Sequence, residues 1–340
     1  MTDASNTDVV AIAAELLSIP SPTGQEAAVV EFVSRWLVAR EWNVTIQEVT
    51  PGRSNVWATR AAMAGTDGVT LSTHLDTVTP HVPPRRDGDR LYGRGACDAK
   101  GIAAAMLTAA DRLVARGERR VGLLFVVGEE HGSDGARAAN RLPTASRFLI
   151  NGEPTESHLA SGAKGSLRVT LRTRGREAHS AYPALGASAI EPLLTLLPRI
   201  SALVLPSDPI LGGTTVNVGI IRGGTAANII PGQAEAEMMF RLVGDVAPVK
   251  QAIEQCVGDA AEIEYGSYIP AQRFHVVPGF TAAPVAYTSD IPLLSRWGTP
   301  LLFGPGSIHV AHTPDEYIDL TELRASVDAY ERIIRTLLAA

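Results

Sequence analysis

Val69 to Thr73, Val121 to Val127 and Phe148 to Ile150 are short, largely apolar runs, too brief for helices and bounded by polar loops. Uninterrupted runs of this kind belong to strands that a parallel sheet buries on both faces. Between the first two runs, Ala99 to Arg116 carries apolar residues at helical spacing. Strand, helix and strand in alternation predict an open α/β sheet with right-handed crossovers. Upstream, Val9, Val10, Ile12, Ala13, Leu16 and Leu17 predict a helix with Asn6, Thr7 and Asp8 as candidate N-caps, ended by Ser21-Pro22-Thr23-Gly24. A second helix is expected from Gln25 to about Arg40, and a half-buried strand from Asn43 to Val49.

From about Lys164 the texture changes. Ser166 to Thr173 alternates, Ser188 to Leu203 reads as a helix, Thr215 to Ile221 and Ala234 to Arg241 read as antiparallel strands, and Val246 to Val257 reads as a second helix. After about Pro278 short strand and helix signals return, ending in a helix from Leu320 to Leu338. The prediction is an α/β fold: an open, mostly parallel sheet in a discontinuous catalytic domain over 1–163 and 278–340, with an α+β domain inserted over 164–277.

Charge narrows the class. The chain has 30 Lys and Arg against 36 Asp and Glu, and no cluster of five basic residues, so a nucleic-acid partner is not expected. No apolar stretch is long enough to span a bilayer, and MTDASNTDVV lacks the basic and apolar parts of a signal peptide, so the expected location is cytoplasmic, with no membrane partner. Cys97 and Cys256 are the only cysteines and lie in no CxxC pattern. Any bound metal must therefore rely on histidine and carboxylates.

Those groups fall at informative places. VTLST runs into His74-Leu75-Asp76, VGLLFVV into Gly128-Glu129-Glu130, RFLI into Asn151-Gly152-Glu153, and Asp98 opens the helix after the second strand region. In an open α/β sheet the C-terminal strand edge is where ligands bind. Three or four carboxylates and a histidine gathered there would repel one another unless a divalent cation balanced them. Nitrogen and oxygen donors together suit zinc first, with cobalt or manganese as alternatives. His74 and Asp76, two apart on an extended strand, face the same way, which fits Asp76 orienting a ligand imidazole.

Taken singly these signals are ordinary: a His and an Asp two apart can cap a strand, and adjacent acids are usually solvated. The stretch Tyr92-Gly93-Arg94-Gly95-Ala96-Cys97-Asp98-Ala99-Lys100-Gly101 is not a phosphate loop, because Asp98 replaces the third glycine of GxGxxG and no Ser or Thr follows Lys100. Gly132-Ser133-Asp134-Gly135 is not a nucleophile elbow, because His131 stands where a glycine is needed.

STHLDTV, LYGRGACDAKG, VGEEHGSDGA, NGEPT and AHTPDEY occur in this order, with REAHSAYP and GGTAANIIPGQAEAEMMFR in the insert. Together they resemble the co-catalytic zinc aminoacylase and carboxypeptidase family, which includes acetylornithine deacetylase and succinyl-diaminopimelate desuccinylase. The resemblance implies two divalent metal ions per protomer. Asp98 would bridge them, His74 and Glu153 would complete one site, Glu130 and His312 the other, and Glu129 would be the general base for a bridging hydroxide. The family pattern selects His312 over His309, which a local reading leaves open.

The same resemblance implies that the insert is a dimerisation and lid domain. His179 would reach into the partner's site of a homodimer and stabilise the oxyanion. Asn228 and Arg241 would hold the substrate's acyl group or carboxylate, and Gly306 would belong to a substrate-facing loop, Gly304 to Ser307. Met239 and Phe240 stand before Arg241 where many relatives have Asp and one further residue. Cys97 looks like acetylornithine deacetylase, whereas Thr288-Ser289-Asp290 resembles the desuccinylase. The expected activity is hydrolysis of the amide bond of a small N-acyl amino acid, in the manner of amino-acid biosynthesis enzymes. The alternatives are a dipeptidase or carboxypeptidase with the same centre, or a silent binding homologue.

Overall fold

The computed structural model describes residues 8–60, 68–144 and 146–339, which form two compact units. The larger comprises residues up to 161, 274–283 and from 289 onward; the smaller comprises 162–273 and 284–288.

The larger unit is built on a six-stranded sheet in the order Asn43–Thr50, Arg53–Thr59, Val121–Val126, Gly68–His74, Ser146–Asn151 and Thr299–Leu302. The last four strands run parallel to one another, and the first two form an antiparallel pair on one edge. Gly68–His74 and Val121–Val126 are buried along their whole length, as their apolar runs predict, whereas the edge strand Asn43–Thr50 has no buried residue. The mixed α/β class and the mostly parallel sheet follow the sequence reading.

The Lys100–Ala115 helix lies in the core, and its alanines at 103, 104, 105, 109 and 110 are all fully buried. Methyl side chains let neighbouring helices approach closely without strain. The Val9–Ser18 and Leu320–Ala339 helices share its core cluster through Leu16, Leu17, Val327 and Tyr330. Asp8 caps the first helix by accepting the Val10 N–H at 3.0 Å; Asn6 and Thr7 lie outside the described residues. The second helix is shorter than its pattern suggests, Ala27–Val38, because the chain turns at Glu41 with a positive φ of 61°.

The smaller unit is a four-stranded antiparallel sheet in the order Thr215–Gly223, Gln233–Leu242, Gly165–Arg174 and Glu262–Ile269. Ala234, Ala236, Met238, Phe240 and Leu242 alternate into its buried face. The Ile190–Ser201 and Ala247–Val257 helices cover that face with Leu193, Leu196, Leu197, Ile200, Val249, Ile253 and Val257. Thr215–Gly223 is an edge strand with Ile220 and Ile221 exposed.

Candidate metal centre

Register explains why distant residues meet. His74 pairs with Val126, and Ser72 pairs with Asn151, in adjacent parallel strands. The loops leaving these strands therefore emerge together, carrying His74 to Asp76, Gly128 to Glu130 and Gly152 to Glu153. Asp98 enters from the turn before the Lys100–Ala115 helix, and His312 from the loop before the last helix.

Asp98 lies between the two imidazoles. His74 Nε2 is 3.0 Å from its Oδ1 and His312 Nε2 is 3.2 Å from its Oδ2, while His312 Nε2 is also 3.0 Å from Glu130 Oε1. The ligand atoms of His74, Asp98 and Glu130 all lie within 4.8 Å of one another. Glu153 is buried, and its Oε1 has no hydrogen-bond partner. An orphaned buried carboxylate oxygen beside clustered imidazoles and carboxylates is the donor set a divalent ion requires, and its N/O character fits zinc-like ions.

The electrostatics agree. Burial works against charge on His74, but hydrogen bonds to Asp76 and Asp98 override it and hold the imidazole well above its usual range. Hydrogen bonds to Asp98 and Glu130 lift His312 to about 10. Burial pushes the Glu153 and Glu129 carboxyls well up, reinforced by each other's neighbours, Glu129 acting on Glu153 and Asp290 on Glu129. Burial also resists ionisation of Asp98, yet the two imidazoles hold it well below the normal carboxylate range. Bound metal ions would supply the positive charge that these clustered carboxylates call for.

Asp76 organises the base-bearing loop. It is fully buried, and its carboxylate accepts the Glu129 N–H at 3.0 Å, the Glu130 N–H at 3.2 Å and the Thr23 hydroxyl at 2.7 Å. His74 Nδ1 faces the Asp76 backbone carbonyl at 2.9 Å, with the carboxylate Oδ1 at 3.6 Å. The backbone carbonyl thus fixes the imidazole, and the carboxylate fixes the loop. From the other side, Arg53 grips buried Glu26 and Asp134, while Asn55 accepts the Val127 N–H and donates to the Gly135 carbonyl. Glu129 and Glu130 therefore project from a loop held at both ends.

The smaller unit contains the other three groups. His179 and Asn228 lie on neighbouring exposed loops, joined where the Ser180 N–H donates to the Asn228 carbonyl at 2.9 Å. The Ala181 N–H donates to His179 Nδ1 at 3.1 Å, which leaves Nε2 as the outward nitrogen. Arg241 is half-buried in the Gln233–Leu242 strand, opposite Ser166 and Thr215, and its guanidinium has no partner among the described residues. Burial alone lowers its pKa. Gly306, back in the larger unit, has a φ of +88°, and a Cβ there would meet Cys97 Cβ at 2.6 Å. Its N–H donates to Glu322 and its carbonyl accepts from Glu156, so it offers close backbone approach and no spare donor.

Three participants have no role in the sequence reading. Thr23 reads as a helix stop, yet its hydroxyl holds Asp76. Asp290 is buried with no completed hydrogen bond on either oxygen, and burial pushes its carboxyl up to about 6. Glu316 is buried against Arg94 and the backbone of Cys97 and Asp98. Its place inside AHTPDEY, four residues after His312, is the signal that could have found it.

Residues 70–336 match the model of peptidase family M20/M25/M40. The chain is 37% identical to a peptidase M20 domain-containing protein of Schizosaccharomyces pombe, over 96% of this chain and 84% of that protein. It is 38% identical to a probable carboxypeptidase of Aspergillus clavatus, over 95% of this chain and 81% of that protein. Among solved structures it resembles a tripeptidase from Staphylococcus aureus with a TM-score of 0.82 and 21% identity, covering 98% of each chain. It also resembles an M20 family metallo-carboxypeptidase from Sulfolobus solfataricus, with a TM-score of 0.77 and 17% identity, over 98% of this chain and 100% of that one.

Proposed function

The chain belongs to peptidase family M20/M25/M40 and is a hydrolase acting on amides; from that premise we propose that it cleaves small substrates whose leaving side is an amino acid with a free α-carboxylate, N-acyl amino acids foremost. The observation that carries this reading is the convergence of His74, Asp98, Glu130 and His312 within hydrogen-bonding distance, with Glu129 held by its amide on the same loop as Glu130.

His74 and Glu153 would hold one divalent ion and Glu130 and His312 the other, with Asp98 between them; zinc is the first choice. Such ions, when bound, supply Lewis-acid polarisation of the scissile carbonyl and a water acidic enough to ionise near neutral pH. Glu129 would accept a proton from the attacking water and return it to the leaving amine. Its raised pKa suits a group that must both accept and return a proton. Asp76 keeps Glu129 and Glu130 apart in their two tasks by fixing their amides. The unpartnered Arg241 offers a fork for the substrate carboxylate, and Asn228 a polar contact for the acyl group.

His179 would donate to the oxyanion from the partner of a cytoplasmic homodimer, with the inserted unit serving as dimerisation and lid domain. The exposed edge strand Thr215–Gly223 supports such pairing. Carboxypeptidase action on short peptides is the second reading. It presents the same free carboxylate, and relatives 36–38% identical are described as probable carboxypeptidases.

The deciding experiment measures amine release from N-acetyl, N-succinyl and N-formyl amino acids and from dipeptides, each with its C-terminal carboxamide counterpart. It uses chelator-stripped protein with and without added zinc or cobalt. Metal-restored cleavage of an acyl amino acid, lost on amidation, is expected. Equal cleavage of the carboxamides would remove the carboxylate requirement, and preference for dipeptides would select the second reading.

A further inference from the structure

The Arg94–Glu316 ion pair is buried, its partners only 3% and 0% exposed at the side chain, with Arg94 Nη1 2.7 Å from Glu316 Oε2. Strand pairing already brings this part of the chain together, since Tyr92 is opposite Tyr317 and the Gly93 N–H donates to the Glu316 carbonyl at 3.0 Å. The charges are therefore not needed to join the segments, and a buried ion pair is weak support for stability, because a well-packed apolar pair often serves the fold as well. What an apolar pair could not do is bond to backbone, and the remaining atoms of this pair do so at chosen places.

Glu316 Oε1 accepts the N–H of Cys97 and the N–H of Asp98 itself, each at 3.2 Å. Arg94 Nη1 donates to the Thr313 carbonyl and Nε to the Pro80 carbonyl, each at 3.2 Å. One end of the pair thus fixes the backbone of Asp98. The other fixes the carbonyl of Thr313, the residue after His312, and His312 itself has a φ of +65° that a non-glycine residue rarely adopts. Asp98 and His312, far apart in sequence, meet at 3.2 Å.

We infer that Arg94 and Glu316 are a positioning pair for the metal centre, aiming Asp98 and His312 at a common ion without touching it. The inference rests on the ligand assignment proposed above. Outer groups that orient ligands typically change metal affinity or activity by about 10–100-fold when removed, and the ion most affected should be the one shared by Asp98, Glu130 and His312.

The test uses the full chain as wild type, R94K, E316Q and the apolar pair R94M/E316M. Zinc affinity is measured by chelator competition, site geometry by the visible spectrum of the cobalt-loaded protein, and folding by circular dichroism and thermal melting. Wild type should bind two ions. R94K keeps a charge on Glu316 but cannot span Pro80 and Thr313, and the apolar pair keeps the packing without the backbone bonds. Both should stay folded at low temperature, with one of two zinc affinities weakened roughly 10–100-fold and an altered cobalt spectrum. Folded variants that bind two zinc ions as tightly as wild type would overturn the inference. So would variants that lose metal only in step with unfolding, since the pair would then serve the fold. Wild type that binds no metal would instead overturn the ligand assignment itself.

Discussion

Replacing Asp76 by asparagine preserves shape and removes a charge, and the structure sets the size of the effect. The carboxylate accepts three donors, the amides of Glu129 and Glu130 and the hydroxyl of Thr23. In asparagine one of the two oxygens becomes an NH2 group. If it replaces Oδ2, Thr23 can turn to accept, but the Glu130 N–H faces a donor; if it replaces Oδ1, the Glu129 N–H does. Either orientation orphans one backbone amide, and the surviving bonds lose their charge assistance. A hydrogen bond to a charged group contributes about 1.5–3 kcal/mol, and each 1.4 kcal/mol is roughly a factor of ten. D76N should therefore lose about 10–100-fold in zinc affinity or turnover, the range expected for a residue that orients a ligand. D76A, which orphans all three donors, should lose more. Zinc competition against a chelator and steady-state amine release on the same protein read both quantities. Wild-type zinc affinity and turnover in D76N would refute the argument that this carboxylate holds the loop.

E129Q should retain two metal ions per protomer while turnover falls about 10²–10⁴-fold, the usual share of a general base; turnover within twofold of wild type would remove Glu129 from the reaction. R241M should raise KM for carboxylate substrates about 10–100-fold, from the loss of one charged hydrogen-bonding group, with little change for carboxamides; an unchanged KM would place the carboxylate elsewhere. Lys100 gives a pH test. It is fully buried, its Nζ donates to the Ile19 carbonyl, and burial lowers its pKa from 10.5 to about 7. Between those values the unfolded chain binds the proton that the folded chain sheds, so its contribution to stability rises as pH increases from about 7 to 10.5. K100M should flatten that rise in denaturant titrations across the window, and parallel pH profiles for the two proteins would show that Lys100 is not the cause.

The parallel core was legible because strands buried on both faces leave no polar alternation to confuse them, and the acids at their ends follow from the same reading. Arg53–Thr59 was not: Arg53, Ser54 and Asn55 open it with polar side chains, and Arg53 and Asn55 brace the loop that carries Glu129 and Glu130. His74, Asp98 and the 129–130 pair were visible as strand-end and helix-start groups. His312 was not, since it lies in a loop with left-handed backbone geometry and no periodic signal; only the family resemblance selects it. Asp290 and Glu316 stand inside stretches that the resemblance picks out, but their burial is not legible there, because burial depends on what packs over a loop and not on the loop's own composition.

The order in which the proposed ligands occur along the chain also sets a timetable. During synthesis His74, Asp98, Glu130 and Glu153 emerge first, and the strands that carry three of them are neighbours in the sheet. His312 follows only after the whole inserted unit and the Thr299–Leu302 strand, which completes the sheet edge beside Ser146–Asn151. Domains tend to fold as units, and the larger unit draws the Leu320–Ala339 helix into the same core as the strands that carry the early ligands, so a chain cut short before His312 would lack a proposed ligand and part of the core together.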